Sequence, residues 1–326
     1  MGLQSIQHGN EDVKALLTSF LQKKRIPTVS LFYGPSGSGK SFFAYHFIQD
    51  ILCMNPRGVH CCHECMSCKT VKANTSPDLQ KISSFDSTSI KIEDIKNAQD
   101  FSVLQPVYSD RKVIWIEDAH LLTIEAFNSI LKALEEPNLT TIFVLTTSKL
   151  DSILPTVRSR STAISFKSYG EAEVKKILEN NSCEESLVTL LSKIGGGNLK
   201  KTLSYLDPQN LDYRKKQIES FLALVQQSSF FPPYQTKEEI LSFISNSQTL
   251  VKDIFQVKLN PTESSIVNID YWEPIFQFSK KIDIGKITEI WDMLLQAEMD
   301  LSRVNVNIKA YFELLSVSLK SIVLFC

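Results

Sequence analysis

The feature that most constrains this chain is a glycine-rich turn between an apolar strand and a helix. Residues 34–41 read Gly-Pro-Ser-Gly-Ser-Gly-Lys-Ser, which matches the G-x-x-x-x-G-K-[ST] pattern of a phosphate-binding loop. An apolar, β-branched segment at 28–33 precedes the turn, and helical periodicity runs from about Lys40 to Cys53. Because the motif requires a strand before it and a helix after it, this context predicts an α/β domain that binds a nucleotide.

Each residue type in this loop has a physical role. Glycines let the backbone curl so that successive N–H groups point at one anion, and the following helix adds positive partial charge at its amino end. We expect Lys40 to reach the β- and γ-phosphates of ATP, and the Ser41 hydroxyl to bind Mg²⁺. The candidate nucleotide site is the whole loop: Gly34, Pro35, Ser36, Gly37, Ser38, Gly39, Lys40 and Ser41.

Two acidic residues follow another buried strand, predicted at 113–116, and are candidates for holding the magnesium ion. They are Glu117 and Asp118, and the alternative is a pair of solvated acids at a strand end. In ATPases of this type the usual order is Asp, which holds the hydration shell of the metal, then Glu, which orients the attacking water. The shorter Asp118 at the second position would hold water further back, so the sequence favours nucleotide binding over efficient hydrolysis.

Five of the seven cysteines crowd into residues 53–68, which indicates a metal site. The spacing C-x8-C-x2-C-x2-C offers four thiolates to a tetrahedral Zn²⁺, a closed and therefore structural set. The proposed ligands are Cys53, Cys62, Cys65 and Cys68. Cys61, His60 and His63 are left out because none fits a two-residue spacing with both outer cysteines. Reduced core cysteines without metal and a redox C-x-x-C are the alternatives.

Further strands are predicted at 79–83, 141–147 and 163–166, with helices between them. Alternating strands and helices indicate a parallel sheet covered on both faces, and the pattern after residue 166 is helical. The fold class is therefore α/β followed by all-α. The predicted boundaries are a nucleotide-binding domain at 1–168 with the cysteine module at 53–68, a small helical domain at 169–210 and a larger one at 211–326.

Charge and hydropathy narrow the function further. The 326 residues carry 35 Lys+Arg and 36 Asp+Glu, whereas a chain that bound DNA mainly through its own charge should be more basic. No apolar run reaches the roughly 18 residues of a membrane span, and the first residues lack the apolar core of a signal peptide. We therefore expect a cytoplasmic protein with reduced cysteines, no membrane partner, and DNA contact only through a local patch or through partners.

These motifs, in this order, resemble the clamp-loader ATPase subunits of bacterial DNA polymerase III, members of the AAA+ superfamily. The resemblance covers roughly residues 1–206, and the remainder is similar only in size and helicity. It implies an AAA+ domain with an inserted zinc module, a helical lid and a C-terminal helical collar. It rests on the loop at 34–41, the cysteine module, Val-Ile-Trp-Ile-Glu-Asp-Ala-His at 113–120, Ala-Phe-Asn-Ser-Ile-Leu-Lys-Ala-Leu-Glu-Glu-Pro at 126–137, Phe-Val-Leu-Thr-Thr at 143–147 and Val-Arg-Ser-Arg-Ser at 157–161.

The resemblance also implies roles for three further residues. Thr147 is similar to the sensor that touches the γ-phosphate. Arg160 lies in a Ser-Arg-Ser that is similar to the family's Ser-Arg-Cys, where the arginine reaches a neighbouring subunit's nucleotide site as an arginine finger; an ordinary surface arginine is the alternative. Lys200 falls where the family often has a second sensor arginine, and lysine keeps the charge but loses the planar fork.

The function that the resemblance implies is that of one subunit in a hetero-oligomeric clamp loader. The complex would load the sliding clamp on primed DNA during DNA replication. The chain would bind ATP and Mg²⁺, carry Zn²⁺ and hydrolyse ATP weakly at most; it is part of the polymerase holoenzyme without being the polymerase. Its length and altered site favour a delta-prime-like subunit over a gamma-type ATPase. Two alternatives lie outside this family. One is a stand-alone P-loop phosphotransferase with a zinc-bearing lid, and the other is a purely structural collar protein.

Overall fold

The computed structural model of the chain describes residues 9–84, 89–135, 138–181, 183–225, 234, 236–303 and 307–324. The chain divides into two compact units, one formed by 1–182 with 197–200 and the other by 183–196 with 201–326. The finer division into three domains stays a prediction. Residues 136–137, the end of the 126–137 motif, lie outside the described part. Within that part, no helix is both long enough and apolar enough to cross a membrane.

The first unit alternates strands and helices as the sequence predicts. Its elements are α1 (Glu11–Gln22), β1 (Val29–Tyr33), α2 (Lys40–Leu52), α3 (Met66–Lys72), β2 (Leu79–Ile82), α4 (Ile92–Val103), β3 (Lys112–Ile116), α5 (Ile124–Glu135), β4 (Thr141–Thr147), α6 (Pro155–Ser159), β5 (Thr162–Ser165) and α7 (Glu171–Glu179). Short 3₁₀ turns at Ala119–Leu121 and Leu150–Ser152 follow β3 and β4.

The five strands form one parallel sheet in the order β2-β3-β4-β1-β5. The predicted α/β architecture with a parallel sheet is confirmed. In the register, Tyr33 lies beside Thr147, and Ile116 lies between Ile82 and Leu145. Since parallel strands all end at the same edge, the residues that follow β1, β3 and β4 meet there.

Each face of the sheet has its own apolar core. Phe32 and Trp115 pack with Phe43 and Phe47 of α2 on one face, whereas residues one position along the same strands pack against α4 and α5 on the other. Every residue of β3 and β4 is buried. Burial on both faces explains why the sequences of both strands are continuous apolar runs. Burying each large side chain contributes ~1.5–3 kcal/mol to the stability of the fold.

Asn10 precedes α1 and is a residue type that often caps a helix, but its side chain does not cap α1. Asn10 has a left-handed backbone (φ 52°) and makes no capping bond, because capping by a side chain needs an extended backbone at that position. Its amide instead donates to the Ser38 carbonyl at 3.2 Å, and its side-chain oxygen accepts from the Lys167 N–H at 3.0 Å. Asn10 thus ties the phosphate loop to the chain after β5.

The second unit is helical. Its helices are α8 (Glu185–Ile194), the end of α9 (Leu199–Ser204), α10 (Pro208–Val225), α11 (Lys237–Leu259), α12 (Trp272–Lys281), α13 (Ile284–Arg303) and α14 (Ile308–Leu324), with 3₁₀ turns at Glu263–Ser265 and Ile269–Tyr271. Within α11, only residues 240–244 show apolar residues at helical spacing in the sequence, whereas the helix is 23 residues long. Buried polar residues interrupt the apolar pattern of this helix, namely Asn246, Ser247 and Asp253.

A buried polar network satisfies one of these groups, the Asp253 carboxylate. The Arg214 guanidinium donates to Asp270 at 2.8 and 3.2 Å and to the Asn268 side chain at 2.6 Å. The Asp253 carboxylate accepts from the N–H groups of Val267 and Asn268. Arg214 is only 2% exposed, so its charge depends on these partners.

Replacing Arg214 with methionine should therefore destabilise the second unit. We expect a loss of about 3 kcal/mol in the free energy of unfolding, because Asn268 and Asp270 lose their donor inside the protein. Urea unfolding followed by tryptophan fluorescence measures this in a Trp115→Phe background, where the remaining two tryptophans lie in the second unit. Lys216→Met is the matched control, because its pairing with Asp212 lies in solvent and should matter little. Equal stability of both variants would contradict the assignment.

Candidate nucleotide site and metal centre

The phosphate loop owes its shape to glycines in the left-handed region. Gly37 has φ 72° and Gly39 has φ 89°, backbone conformations that other residues adopt at a cost. A side chain at Gly37 would also collide with the Asn198 amide, and one at Gly39 with the Tyr169 hydroxyl. The loop is therefore closely packed on its outer side by residues of the same unit.

Lys40 lies inside this loop. Its side-chain ammonium donates to the carbonyls of Gly34 at 2.7 Å and Pro35 at 2.6 Å. Burial lowers the pKa of Lys40, and the Asp118 carboxylate partly opposes this. The ammonium is thus held by loop carbonyls at the amino end of α2, where the backbone amides and the helix dipole favour an anion.

Glu117 is the acid that faces the phosphate loop. Glu117 lies two residues after Trp115, so its side chain is on the same face of the sheet, the face covered by α2. Its N–H donates to Ile82 O, which extends the hydrogen bonding between β2 and β3 by one residue. Burial raises the pKa of Glu117, but hydrogen bonds from Lys81 and Ser41 and the charges of Lys81 and Lys200 outweigh burial and lower it. The carboxylate is therefore ionised at neutral pH and next to the Ser41 hydroxyl, a donor set that fits Mg²⁺.

Asp118 points elsewhere. It has a left-handed backbone (φ 53°), its N–H donates to the Thr146 hydroxyl at 3.3 Å, and its carboxylate lies 3.9 Å from the His120 ring. The side chain is 54% exposed. The two predicted acids therefore separate, one toward Ser41 and one toward His120.

Thr147 ends β4 beside the loop, with its carbonyl accepting from the Gly34 N–H at 3.3 Å. Its hydroxyl is buried, donates to Lys149 O at 3.2 Å, accepts from Lys149 N–H at 3.1 Å and lies 3.3 Å from His120 Nδ1. Burial lowers the pKa of His120. The sequence analysis missed His120, whose only signal was its place two residues after the acidic pair.

Lys200 also belongs to this side of the first unit. It is the second residue of α9, and the preceding Leu199 donates its N–H to Gly37 O at 3.0 Å. Its positive charge contributes to the lowered pKa of Glu117. The structure therefore brings together the loop, Glu117, Thr147 and Lys200 on one side of the first unit.

Arg160 lies apart from these residues, immediately after α6. Its guanidinium pairs with Glu135 at 2.8 Å and donates to Thr156 O at 3.1 Å. The side chain is 38% exposed. Its contacts are with α5 and α6, at the protein surface, rather than with the phosphate loop.

The four predicted zinc ligands form a compact cluster. The sulfur atoms of Cys53, Cys62, Cys65 and Cys68 all lie within 4.8 Å of one another. Backbone N–H groups support the sulfurs: the Cys62 N–H donates to Cys53 Sγ at 3.2 Å and the Cys65 N–H to Cys62 Sγ at 3.3 Å. Amides of Glu64 and Cys65 lower the pKa of the Cys62 thiol to about 6. Four clustered thiols with N–H donors fit a structural Zn²⁺ site.

The three neighbouring residues that could also bind a metal, His60, Cys61 and His63, contact other groups. The His60 ring pairs with the buried Asp50 carboxylate at 3.2 Å, and Cys61 Sγ lies 3.5 Å from the His63 ring. Burial raises the pKa of the Cys61 thiol to about 12, which keeps it protonated. Their exclusion from the proposed ligand set agrees with this geometry.

Comparison with known proteins identifies the family. The sequence model of the family described as DNA polymerase III, delta subunit, matches residues 9–170, which include the sheet, the loop and the cysteine cluster. The delta' subunit of DNA polymerase III from Pseudomonas aeruginosa is 27% identical over 306 residues, which are 90% of this chain and 91% of that one. This chain belongs to the AAA+ clamp-loader subunits of DNA polymerase III.

Other relatives of this clamp-loader subunit match over a shorter stretch. The gamma/tau subunit of Mycobacterium tuberculosis is 29% identical, and the tau subunit of Bacillus subtilis is 30% identical. Each match covers 61% of this chain and 36% of the relative, so the chain spans about a third of the length of those subunits. A DNA polymerase III gamma subunit-related protein from Thermotoga maritima has a similar fold, with a TM-score of 0.51 at 16% identity over 95% of this chain and 98% of that one.

The cysteine cluster predicts one tightly bound zinc per chain. Elemental analysis of protein purified without chelator should find it, and Cys65→Ser should lower both the zinc content and the melting temperature, because a structural zinc contributes folding energy. Cys183→Ser is the matched control, since Cys183 lies outside the cluster. Zinc-free wild-type protein, or full zinc occupancy in Cys65→Ser, would contradict the site.

Proposed function

We propose that this chain is the delta-prime-like subunit of a clamp loader, binds ATP at residues 34–41, and supplies Arg160 to the nucleotide site of a neighbouring subunit. The complex would load the sliding clamp on primed DNA. One observation carries the nucleotide assignment: Lys40, Ser41 and Glu117 converge at one edge of the sheet. Similarity to a delta' subunit over 90% of this chain and 91% of that one supports the choice of subunit.

The binding step follows from the residues of the loop. The loop amides and the amino end of α2 would hold the phosphates, and Lys40 would exchange its two carbonyl partners for phosphate oxygens. Ser41 and Glu117 are the oxygen ligands available to an Mg²⁺ ion that accompanies the nucleotide, and such an ion would supply charge neutralisation to the phosphates. Lys200 adds a further positive charge near Glu117.

Hydrolysis is expected to be slow. Phosphoryl transfer depends on a positioned attacking water, and the acid at the second position is Asp118. Its carboxylate is short, largely exposed and near His120. The Thr147 hydroxyl, the proposed γ-phosphate sensor, is held by Lys149 and lies beside His120. Both groups would have to change partners to act on the terminal phosphate.

Arg160 fits an action on another molecule. It is partly exposed, it follows α6, and its ion pair with Glu135 presents the guanidinium at the surface. A guanidinium has fixed charge and a planar donor fork, which suits the charge that develops on a transferring phosphoryl group. A gamma-type motor subunit is the alternative within the family, since gamma/tau relatives match 61% of the chain at similar identity. A stand-alone P-loop phosphotransferase has no comparable support.

Lys40→Ala should weaken ATP binding at the loop. We expect at least about tenfold lower affinity, because a charge-assisted hydrogen bond to phosphate is lost. Titration with a fluorescent ATP analogue measures the effect, and Lys96→Ala, an exposed lysine on α4, is the matched control. Equal affinity of wild type and Lys40→Ala would refute the site.

Arg160→Ala should lower the ATPase rate of the complex purified with its cellular partners, while this subunit's own ATP affinity stays unchanged. Arginine fingers contribute about 10³–10⁵ to the rate at the site they serve. Glu135→Gln is the control that separates the two roles of the arginine: it removes the internal ion pair but keeps Arg160. A complex ATPase unaffected by Arg160→Ala, or reduced as much by Glu135→Gln, would argue against action in trans.

A further inference from the structure

A lysine that no motif marks is paired with the acid of the nucleotide site. Lys81 lies on β2 beside Trp115 of β3 in the parallel register, so both side chains are on the face covered by α2. The Lys81 ammonium lies 4.4 Å from the centroid of the Trp115 ring. This cation–π contact holds the ammonium toward the carboxyl end of β3.

The Lys81 ammonium forms an ion pair with the Glu117 carboxylate. Lys81 Nζ lies 2.7 Å from Glu117 Oε2, the distance of a charge-assisted hydrogen bond. Glu117 also hydrogen-bonds with Ser41. The carboxylate that would join Ser41 in holding Mg²⁺ is therefore already neutralised by a cation of the chain itself.

We propose that the Lys81 ammonium takes over the neutralising role of the metal at Glu117, so that the site binds nucleoside triphosphate with little gain from Mg²⁺. This inference rests on the proposed nucleotide binding. Mg²⁺ requires a near-octahedral set of oxygen ligands and loses its waters reluctantly. To use Glu117 it must first displace an ammonium that the carboxylate and the indole both hold.

The electrostatics of the site agree with this. Three lysines surround the space next to the loop: Lys40 within it, Lys200 from α9, and Lys81 from β2. Because the charge of Lys81 is offset by Glu117, Lys40 and Lys200 supply the net positive charge next to the loop. A nucleotide held by ammonium groups alone is bound without the metal that activates transfer, which suits a subunit that retains nucleotide and hydrolyses it slowly.

The test compares ATP-analogue affinity in saturating Mg²⁺ and in EDTA. Wild type should show a ratio of these affinities below about threefold. Lys81→Met keeps the apolar stem on Trp115 and removes the charge, and it should raise the ratio at least about tenfold, the worth of a charge-assisted hydrogen bond. Lys96→Met is the matched control and should keep the wild-type ratio. Lys81→Arg keeps the charge and should also keep the ratio low.

The double variant Lys81→Met/Glu117→Gln tests whether Lys81 acts through Glu117. Removing the carboxylate should abolish the magnesium dependence of ATP-analogue binding that Lys81→Met creates. Circular dichroism and melting temperatures of all variants ensure that folded proteins are compared. A wild type that needs Mg²⁺ strongly, or a Lys81→Met ratio equal to that of wild type, overturns this inference and leaves nucleotide binding intact. A wild type that binds no analogue in either condition overturns the proposed function as well.

Discussion

The register of the parallel sheet is the constraint on which the candidate site depends. Tyr33, Ile116 and Thr147 end neighbouring strands at one edge, and the loop and Glu117 follow directly. Side chains alternate between faces along a strand, so a slip of one residue in β3 would turn Glu117 from α2 to the opposite helices. The cores on the two faces oppose such a slip, because it would also exchange Trp115 with Ile116.

Much of this arrangement is predictable from the sequence, for a physical reason. Parallel strands buried on both faces read as continuous apolar runs, which is why β4 at Thr141–Thr147 agrees at both ends with the prediction. The loop and the cysteine module are equally readable, because their chemistry needs particular residues at fixed spacings. The strand order was not predicted; in the structure it places β1, β4 and β3 side by side, so the loop and the acidic pair meet at one edge.

Contacts between distant residues were not predictable in this way. The partners Lys81 and Glu117 sit on different strands and belong to no motif, so only the sheet register reveals them. In α11, Asn246 and Asp253 look like solvated positions in the sequence, but each is buried and bonded to another helix or turn. Asn10 lies just before α1, but its side-chain amide bonds to Ser38 O of the phosphate loop, a contact between residues 28 positions apart that no local pattern shows.

The reversed acidic pair becomes intelligible in this context. The longer Glu117 side chain reaches both Ser41 and Lys81, whereas the left-handed backbone at Asp118 directs the shorter acid toward His120. Arg160 belongs to a different pair, with Glu135, and its other hydrogen bond goes to Thr156 O of α6 rather than to the loop. Residues without shared partners usually act additively. In the proposed function, holding a nucleotide and serving a neighbour's site would therefore be separable properties, and slow hydrolysis at the first site would leave the second intact.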